Sequence, residues 1–395
     1  MDNQFDVMVV GAGMMGSAAA RHLVDAGLRV VLIGPREPED TKTHQGVFAS
    51  HYDQARITRR MDQDMDWSRL STASIARYAE VEARGETTFF HPVGSLIAGP
   101  EEGPGSEYIQ KCARLGRSEG IDFEEARGAR LRELFPYLAF SDGTLGLFET
   151  GTGGWINPRL HVAAQTRAAV KAGVTHHVAE VAEVEENDTG VIATCSDGTR
   201  ISADKVMIAC GAFSKAEGLL PEAPDLRVYA RTVVYFELTE AQAEQLSSMP
   251  SVIYGPPGVP CIPYILPPVR YSDGKNHIKI GGDPEDVELQ DVDAIKAWFR
   301  TDGDKEVAAF LTDALLQLIP VLRDAPTSTG SCVTSFTPNR KPLVQQQTDR
   351  IFALTGGCGA GAKCSDEIGR LGAELVTEGR IQAGAYTSSF ELTRA

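Results

Sequence analysis

Basic side chains are concentrated in one segment, and two further lysines adjoin glycine turns elsewhere in the chain. The segment 50–60 reads SHYDQARITRR and holds three arginines among aromatic residues. Lys279 alternates with apolar residues just before a glycine pair, and Lys363 follows a glycine-rich run. Cations that face a cavity bind anions such as carboxylates and phosphates. The alternatives are a solvated charged face, a strand lysine that points to solvent, or an arginine paired with an acid such as Asp53.

A glycine-rich turn lies at the start of the chain. A valine-rich run is followed by Gly11, Gly13 and Gly16 and then by a helical pattern of small residues. Strand, G-x-G-x-x-G and helix form a dinucleotide-binding unit, whose glycines allow a tight turn, close approach of a pyrophosphate and close packing of helix on strand. The helix N-terminus offers free N–H groups to the phosphates. The sequence therefore predicts a dinucleotide site, with Met14 and Met15 as further cofactor contacts.

The acidic residue that usually holds the ribose hydroxyls is missing. Gly34 stands at the end of the second strand, where that acid is expected, and Arg36 and Glu37 follow shortly after it. Either Glu37 reaches back to the ribose, or the ribose is held differently, or Arg36 meets a 2′-phosphate as in NADP binders. The first turn alone therefore leaves FAD, NAD and NADP open.

A second glycine-rich turn lies near the end of the chain. Residues 356–361 read GGCGAG, follow an apolar strand pattern and precede a helical one that contains Lys363. Such a turn before a helix N-terminus is a second cradle for an anion or a ring edge. Gly357, Gly359 and Gly361 are therefore candidate cofactor contacts. Two such turns at opposite ends of one chain suggest a single cofactor held by both, which favours FAD over a nicotinamide.

Composition and charge limit the classes of function. The chain has 395 residues, 42% of them hydrophobic, and a formal net charge of −16, which argues against a nucleic-acid partner. We see no apolar run of membrane-spanning length and no basic signal-peptide region, so we expect a cytoplasmic protein without a membrane partner. The seven cysteines show no C-x-x-C pairing, which predicts free thiols rather than disulfides or zinc. We expect no metal.

The chain passes between two kinds of sequence pattern, which predicts two interleaved domains. We expect a discontinuous cofactor-binding domain at 1–87, 155–222 and 330–395, and a substrate domain at 88–154 and 223–329. The proline-rich stretch at 256–268 is expected to lie outside a central sheet, because proline lacks the N–H that a sheet ladder requires.

Taken together, several segments resemble one known family. They are FDVMVVGAGMMGSAAARHLVDAGLRVVLIG at the start, SHYDQARITRR, residues 148–157, ISADKVMIACGAFSK and the terminal GGCGAGAK. Their order over nearly the full length resembles the monomeric sarcosine oxidase and N-methyltryptophan oxidase group, within the D-amino acid oxidase family of FAD-dependent amine oxidases. The resemblance implies an α/β fold. Its FAD-binding domain would be Rossmann-like, of the glutathione-reductase type, and its second α+β domain would be built on an antiparallel or mixed sheet.

The resemblance also implies roles for individual residues. Cys332, otherwise a small buried residue, matches the cysteine that carries the flavin, so FAD is expected to be attached there covalently. Lys279 matches a basic residue over the flavin ring, where a buried cation stabilises superoxide during oxygen reduction. Arg59 and Lys363 match the pair that clamps the substrate carboxylate, and Arg56 lies nearer the flavin.

The chain departs from the family pattern around the expected position of the amine. Tyr52 stands where the group often has a histidine beside the flavin, and Asp283 replaces a histidine that follows the lysine strand. Thr334 replaces an aromatic residue, and Ala360 replaces a histidine of the terminal turn. Tyr264 still matches a pocket aromatic and, with Tyr52, joins the candidate catalytic residues. The two cations that would bind the carboxylate are retained, while the residues expected around the amine differ. The resemblance therefore does not identify sarcosine itself as the substrate.

The resemblance implies an FAD-dependent oxidase of a secondary, N-methyl or otherwise N-alkylated, amino acid. Hydride would pass from the α or N-methyl carbon to flavin N5, the imine would be hydrolysed by water, and O2 would become hydrogen peroxide. The expected partners are O2 and a small amino-acid-like substrate with a carboxylate. The chain is expected to be a monomer or a small homo-oligomer. Val178 is a further cofactor contact in this interpretation.

Three other functions stay open from sequence alone. One is a flavin dehydrogenase of an amino acid that passes electrons to an acceptor other than oxygen. Another is a non-catalytic FAD-binding scaffold, in which the departures around the amine mark a decayed site, although the intact basic residues argue against decay. An NADP-dependent reductase rests only on Gly34 and Arg36.

Overall fold

The computed structural model describes residues 5–256, 261–382 and 384–392. In these ranges the helices are α1 (Met14–Asp25), α2 (Met65–Gly85), α3 (Glu107–Ser118), α4 (Gly128–Leu134), α5 (Pro158–Lys171), α6 (Glu240–Gln245), α7 (Val292–Phe299), α8 (Lys305–Leu318) and α9 (Gly361–Glu378). The strands are β1 (Phe5–Val10), β2 (Val30–Ile33), β3 (Arg56–Thr58), β4 (Phe90–His91), β5 (Ser95–Pro100), β6 (Glu124–Arg127), β7 (Thr144–Glu149), β8 (Gly154–Ile156), β9 (Thr175–His177), β10 (Val181–Asn187), β11 (Gly190–Cys195), β12 (Arg200–Ile208), β13 (Arg227–Leu238), β14 (Ser251–Tyr254), β15 (Tyr264–Arg270), β16 (Asn276–Gly281), β17 (Glu288–Leu289), β18 (Thr327–Phe336), β19 (Leu343–Gln346) and β20 (Ile351–Thr355).

The first sheet joins strands from both ends of the chain. Its parallel strands lie in the order β9-β2-β1-β12-β20. Antiparallel strands extend this sheet: β11 pairs with β12, β10 pairs with β11, and β19 pairs with β20. The central strands β1, β2 and β20 are almost entirely buried, as is typical of parallel strands covered on both faces. Helices α1 and α9 are in extensive mutual contact beside this sheet.

The second sheet is mixed. Its strands lie in the order β17-β13-β16-β15-β14-β5-β7-β6, and β18 pairs along the remaining edge of β13. The pairing of β14 with β5 is parallel, and the other pairs are antiparallel. Strands β3, β8 and β4 form a separate small sheet. The predicted α/β fold, with a Rossmann-like parallel sheet and a second mixed sheet, is thus confirmed.

The expectation that the proline-rich stretch avoids a central sheet was wrong for its second half. Pro267 and Pro268 lie in β15, which pairs with both β14 and β16. The register with β16 shifts between Leu266 and Val269, so the two prolines occupy a β-bulge where no regular ladder hydrogen bond is required. Residues 257–260 of that stretch lie outside the described part of the chain.

Two predicted domain boundaries fall inside strands. The limit at 155 lies within β8, which belongs to the small third sheet. The limit at 330 lies within β18, and this strand pairs with β13 of the second sheet along its whole length. The other domain limits stay predictions.

Three features of the described residues bear on the class of protein. None of the helices described is long and apolar enough to cross a membrane. No group of three or more His, Cys, Asp or Glu side chains in the same ranges could hold a metal ion. All seven cysteines have free thiols, as predicted.

A buried carboxylate holds the start of α9 against three other helices. Asp366 is fully buried and accepts hydrogen bonds from Arg21 at 2.6 Å, Arg77 at 2.5 Å and Gln165 at 2.8 Å. These partners lie on α1, α2 and α5 respectively. Lys363 lies less than one helical turn before Asp366, so this network also fixes the position of Lys363.

We predict that Asp366→Asn lowers the free energy of unfolding by about 3–5 kcal/mol at neutral pH, because it leaves buried guanidinium groups without their carboxylate. Burial alone would raise the pKa of Asp366, but a hydrogen bond with His22 and the charges of Arg21 and Arg77 hold this pKa well below its usual range. A lowered pKa adds stability above the usual carboxyl pKa that is lost as the pH falls. The difference between the two proteins should therefore shrink below about pH 4. Urea denaturation at several pH values measures it.

Asp25→Asn is the matched control. Asp25 also pairs with Arg21, at 3.4 Å, and with Arg84, at 2.7 Å, but it is about one-third exposed. Water screens this pair, so its loss should cost about 1 kcal/mol or less. Equal losses in the two variants would contradict the special role of the buried carboxylate.

Candidate FAD and substrate site

A cavity of about 660 Å³ is lined by residues from both large sheets. One wall is the turn between β1 and α1, and another is the turn between β20 and α9. Residues of β13, β15 and β18 complete it on the side of the second sheet. A cavity of this volume is in the range of ligand and cofactor sites.

The three glycines of the first turn have the different roles that the motif predicts. Gly11 has a φ of +108°, and a Cβ there would lie 2.4 Å from the carbonyl oxygen of Ala209. At Gly16 a Cβ would lie 1.8 Å from the carbonyl oxygen of Gly11, so Gly16 lets α1 pack on β1 and does not line the cavity. Gly13 does line the cavity, and the nearest atom to a Cβ there would be Nδ1 of His51 at 3.9 Å. The space beside Gly13 is therefore free for a pyrophosphate.

The ribose end of the site differs from the family pattern for a steric reason. A Cβ at Gly34 would lie 2.6 Å from both the Cβ and the backbone nitrogen of Ala12, so no acidic side chain fits there. Glu37 does not line the cavity, and its carboxylate pairs with Arg159 at 2.6 Å. Val178 is 42% exposed and also lies outside the lining, although the adjacent residue Ala179 is part of it.

The two glycine turns meet in the cavity, as the sequence predicts. Gly357, Gly359 and Gly361 all line it. A Cβ at Gly361 would lie 3.1 Å from Cε of Met15, which is itself a lining residue beside Met14. One ligand can therefore contact the N-termini of α1 and α9 together.

Cys332 lines the cavity from β18. Its Sγ lies 3.6 Å from Nη2 of Arg56, which also lines the cavity. Two residues further along β18, the hydroxyl of Thr334 is buried and has no hydrogen-bond partner among the described residues, although this residue too borders the cavity. A buried hydroxyl without a partner is expected to bind a group that enters the cavity.

Lys279 is buried but does not line the cavity. Its Nζ lies 2.6 Å from the carboxylate of Asp53 and 2.5 Å from the carbonyl oxygen of Ala55. Asp53 also forms an ion pair with Arg56. Burial lowers the pKa of Lys279 well below its usual range, and the charge of Arg56 lowers it further. The Asp53 carboxylate, which accepts a hydrogen bond from Nζ, opposes this by favouring the charged form. With Lys279 protonated, two cations and one anion carry a single positive charge, and Arg56 is the cation of the three that lines the cavity.

Arg59 and Lys363, the predicted carboxylate clamp, lie together and both line the cavity. Asp62 lies within reach of both: its Oδ2 is 3.0 Å from Nζ of Lys363 and 3.5 Å from Nη2 of Arg59. Nη2 of Arg59 also donates to the hydroxyl of Tyr108 at 3.4 Å. Nε of Arg59 is buried and has no acceptor among the described residues. Burial would lower the pKa of Arg59, but Tyr108, which accepts a hydrogen bond from it, and the charge of Asp62 raise this pKa.

The remaining predicted residues occupy different parts of the cavity. Tyr264 lines it from β15, and burial raises the pKa of this tyrosine to about 12, so its hydroxyl stays neutral. Tyr52 lines it as well, with its hydroxyl 3.4 Å from the carbonyl oxygen of Arg36 in the loop after β2. Asp283 borders the cavity next to the backbone N–H of Thr232, which donates to it at 3.0 Å. Burial raises the pKa of Asp283 to about 6.

Sequence reasoning missed Asp62 and Tyr108 as residues that contact the clamp. Asp53 was weighed only as a possible partner of an arginine, and its pairing with Lys279 was not foreseen. The spacing held a signal, since Asp53 precedes Arg56 by three residues and Asp62 follows Arg59 by three. Such spacing is common in solvated charge clusters, so it does not by itself distinguish a buried pair.

Comparison with known proteins agrees with this site. Residues 6–375 match the FAD dependent oxidoreductase family, DAO. The chain is 24% identical over 394 residues to monomeric sarcosine oxidase of Bacillus sp. (strain NS-129), covering 97% of this chain and 95% of that protein. It is 28% identical over 222 residues to N-methyl-L-tryptophan oxidase of Yersinia pestis (strain Pestoides F), covering 56% of each. Among solved structures it is similar to NikD, an amino acid oxidase essential for nikkomycin biosynthesis, with a TM-score of 0.76, 22% identity and coverage of 98% and 97%.

The chain belongs to the DAO family of FAD-dependent oxidoreductases. Within that family it is a sarcosine oxidase-like FAD-dependent oxidoreductase. The residues present fit FAD, because the glycine cradles leave room at Gly13 and at the start of α9. These two turns would hold the cofactor together with Met14, Met15 and the backbone at Gly34.

Proposed function

We propose that this enzyme oxidises a secondary, N-alkylated amino acid whose carboxylate binds Arg59 and Lys363. The observation that carries the proposal is the buried Nε–H of Arg59, which has no acceptor among the described residues and lies on a cavity-lining side chain. A buried donor without a partner costs stability, and a ligand carboxylate would supply the acceptor. The similarity to sarcosine and N-methyltryptophan oxidases supports an N-methyl substrate.

The chain's own residues would orient the substrate. Arg59 and Lys363 hold its carboxylate by charge-assisted hydrogen bonds, and the apolar ring of Tyr264 bounds the space for the amine. FAD, held by the turns before α1 and α9, would supply the electron acceptor for oxidation of the α or N-methyl carbon and for the later reduction of O2. The imine released from the pocket is then hydrolysed by water, which needs no acid–base residue of the chain. The substitutions Tyr52, Asp283 and Ala360 support a substrate different from sarcosine itself.

We expect Lys363→Met and Arg59→Ala each to raise the dissociation constant of the substrate more than about tenfold, or about 1.4 kcal/mol. Removing one cation leaves fewer charge-assisted bonds to the carboxylate. Anaerobic titration of the flavin absorbance with N-methyl amino acids, and with simple carboxylic acids as inhibitors, measures both effects.

Lys296→Met is the control for these variants. Lys296 lines another part of the same cavity, on α7, and is only partly buried. This variant removes the same charge and should leave the affinity for acids within about twofold of the wild type. A best substrate without a carboxylate, or clamp variants that bind acids as well as the parent does, would contradict the assignment.

We propose that the positive charge shared by Lys279, Arg56 and Asp53 promotes the reaction with oxygen. The contacts of the three side chains support this, because they keep one net positive charge buried beside Cys332. Such a charge stabilises superoxide in a medium of low dielectric constant. Lys279 would act through Arg56 rather than by direct contact, since Lys279 does not border the cavity.

Lys279→Met should slow reoxidation of the reduced enzyme by O2 at least about tenfold, which corresponds to about 1.4 kcal/mol. It should change anaerobic reduction by the substrate much less, because the clamp is untouched. Stopped-flow absorbance of the two half-reactions separates the effects. Lys275→Met is the control, since Lys275 lies just before β16, the strand that contains Lys279, but is exposed and pairs with Glu237. Equal losses in both half-reactions would refute an oxygen-specific role of Lys279. Negligible reoxidation of the wild-type enzyme by O2 would favour a flavin dehydrogenase that uses another electron acceptor.

We further propose that FAD is attached covalently through Cys332. Its position in the cavity wall, beside the unpartnered hydroxyl of Thr334, supports this. Acid precipitation should leave most of the flavin with the wild-type polypeptide, whereas Cys332→Ser should release it into the supernatant. Cys210→Ser is the matched control, because Cys210 lines the same cavity from the end of β12 and should retain bound flavin. If acid extracts all of the flavin from the wild-type protein, the proposed covalent link is refuted, whereas the assignment of the fold is unaffected.

A further inference from the structure

Asp62 lies behind the carboxylate clamp rather than in it. Its side chain is buried, and it contacts both clamp cations without bordering the cavity that Arg59 and Lys363 line. Its second oxygen, Oδ1, accepts the backbone N–H of Asp64 at 3.3 Å. The start of this turn is fixed as well, because Glu149 accepts the backbone N–H groups of residues 60 and 61. The carboxylate is therefore held in place by the fold and not by a substrate.

The ionisation of Asp62 sets the charge of the clamp. Burial would raise the pKa of Asp62, but the charges of Lys363 and Arg59 outweigh burial and lower it. Asp62 is therefore ionised at neutral pH, so that two positive charges and one negative charge leave the clamp with one positive charge. Without Asp62, the two clamp cations would repel each other with no anion between them.

The guanidinium of Arg59 contacts the protein through Nη2 and leaves Nε available to a ligand in the cavity. Asp62 and Tyr108 both contact Nη2, and Nε has no acceptor in the part of the chain that the structure describes. Asp62 thus occupies one edge of the guanidinium and leaves a donor that a ligand can use. Its 3.0 Å contact with Lys363 restrains that ammonium beside the same donor.

We propose that Asp62 is a positioning residue that limits the clamp to one substrate carboxylate, so that the enzyme selects amino acids with a single carboxylate over dicarboxylates. This inference rests on the proposed carboxylate role of Arg59 and Lys363. The first substrate carboxylate would neutralise the one remaining positive charge of the clamp. A second carboxylate near the clamp would therefore have no net positive charge to bind. Of the other charged groups that border the cavity, Asp283 and Glu180 would repel a second carboxylate. Arg56 and Arg231 are paired with Asp53 and Asp286, and Lys296 lies on α7 in another part of the cavity.

Propionate and malonate form a matched pair of probes, because they have three carbons each and differ by one carboxylate. Their dissociation constants for the FAD-loaded enzyme are measured by isothermal titration calorimetry near neutral pH, where malonate is a dianion. In the wild type we expect propionate to bind at least as tightly as malonate. In Asp62→Asn, which has one more positive charge at the clamp, the preference should move toward malonate by at least about tenfold.

Two variants test whether the carboxylate itself is responsible. Asp62→Glu keeps the charge and should retain the wild-type preference. Asp25→Asn changes the protein's net charge by the same amount far from the cavity and should also retain it. Asp62→Ser is measured as well as Asp62→Asn, so that the test can be made with whichever of the two variants folds.

The outcomes separate this inference from the function on which it rests. If Lys363→Met weakens propionate binding but the Asp62 variants keep the wild-type preference, the inference about Asp62 is overturned and the carboxylate clamp stands. If propionate binding does not depend on Lys363, the clamp itself is refuted. Malonate binding tenfold tighter than propionate in the wild type would overturn the inference without any variant.

Discussion

The pairing of buried cations with aspartates of one short segment is the interaction on which the site depends. Taking an ammonium or guanidinium group out of water costs several kcal/mol unless an anion accompanies it. Asp53 stabilises Lys279 and Arg56, and Asp62 stabilises Lys363 and Arg59, so one aspartate serves each pair of a lysine and an arginine. Each trio keeps one positive charge. The cavity therefore has two separate positive regions, one beside Cys332 and one at the clamp.

This arrangement also couples the core to the site. The turns before α1 and α9 come from opposite ends of the chain, and they line one cavity because α1 and α9 pack together beside the first sheet. Asp366 fixes that packing by binding Arg21, Arg77 and Gln165 from three other helices. Lys363 lies just before it, so the same buried network that stabilises the fold sets the position of a clamp cation.

The lining shows where this enzyme differs from its relatives. The basic residues implied by the resemblance are present and in contact with the cavity or with its lining, whereas the residues around the amine have changed in type. A histidine position is now Asp283, whose pKa is raised to about 6 by burial, and an aromatic position is now Thr334 with an unpartnered hydroxyl. Charge and hydrogen bonding, rather than aromatic packing, therefore distinguish this part of the pocket.

The sequence by itself determined the elements whose cause is local. The turn at Gly11, Gly13 and Gly16 could be predicted because it lies between a strand and a helix that are continuous with it in the sequence, and the order of motifs indicated the fold and FAD. It misplaced Pro267 and Pro268, because a bulge depends on a partner strand that local sequence does not specify. Only the tertiary structure placed Asp62 against Lys363, which is 301 residues away along the chain. Burial makes that contact electrostatically strong, and burial is a property of the folded chain rather than of the segment.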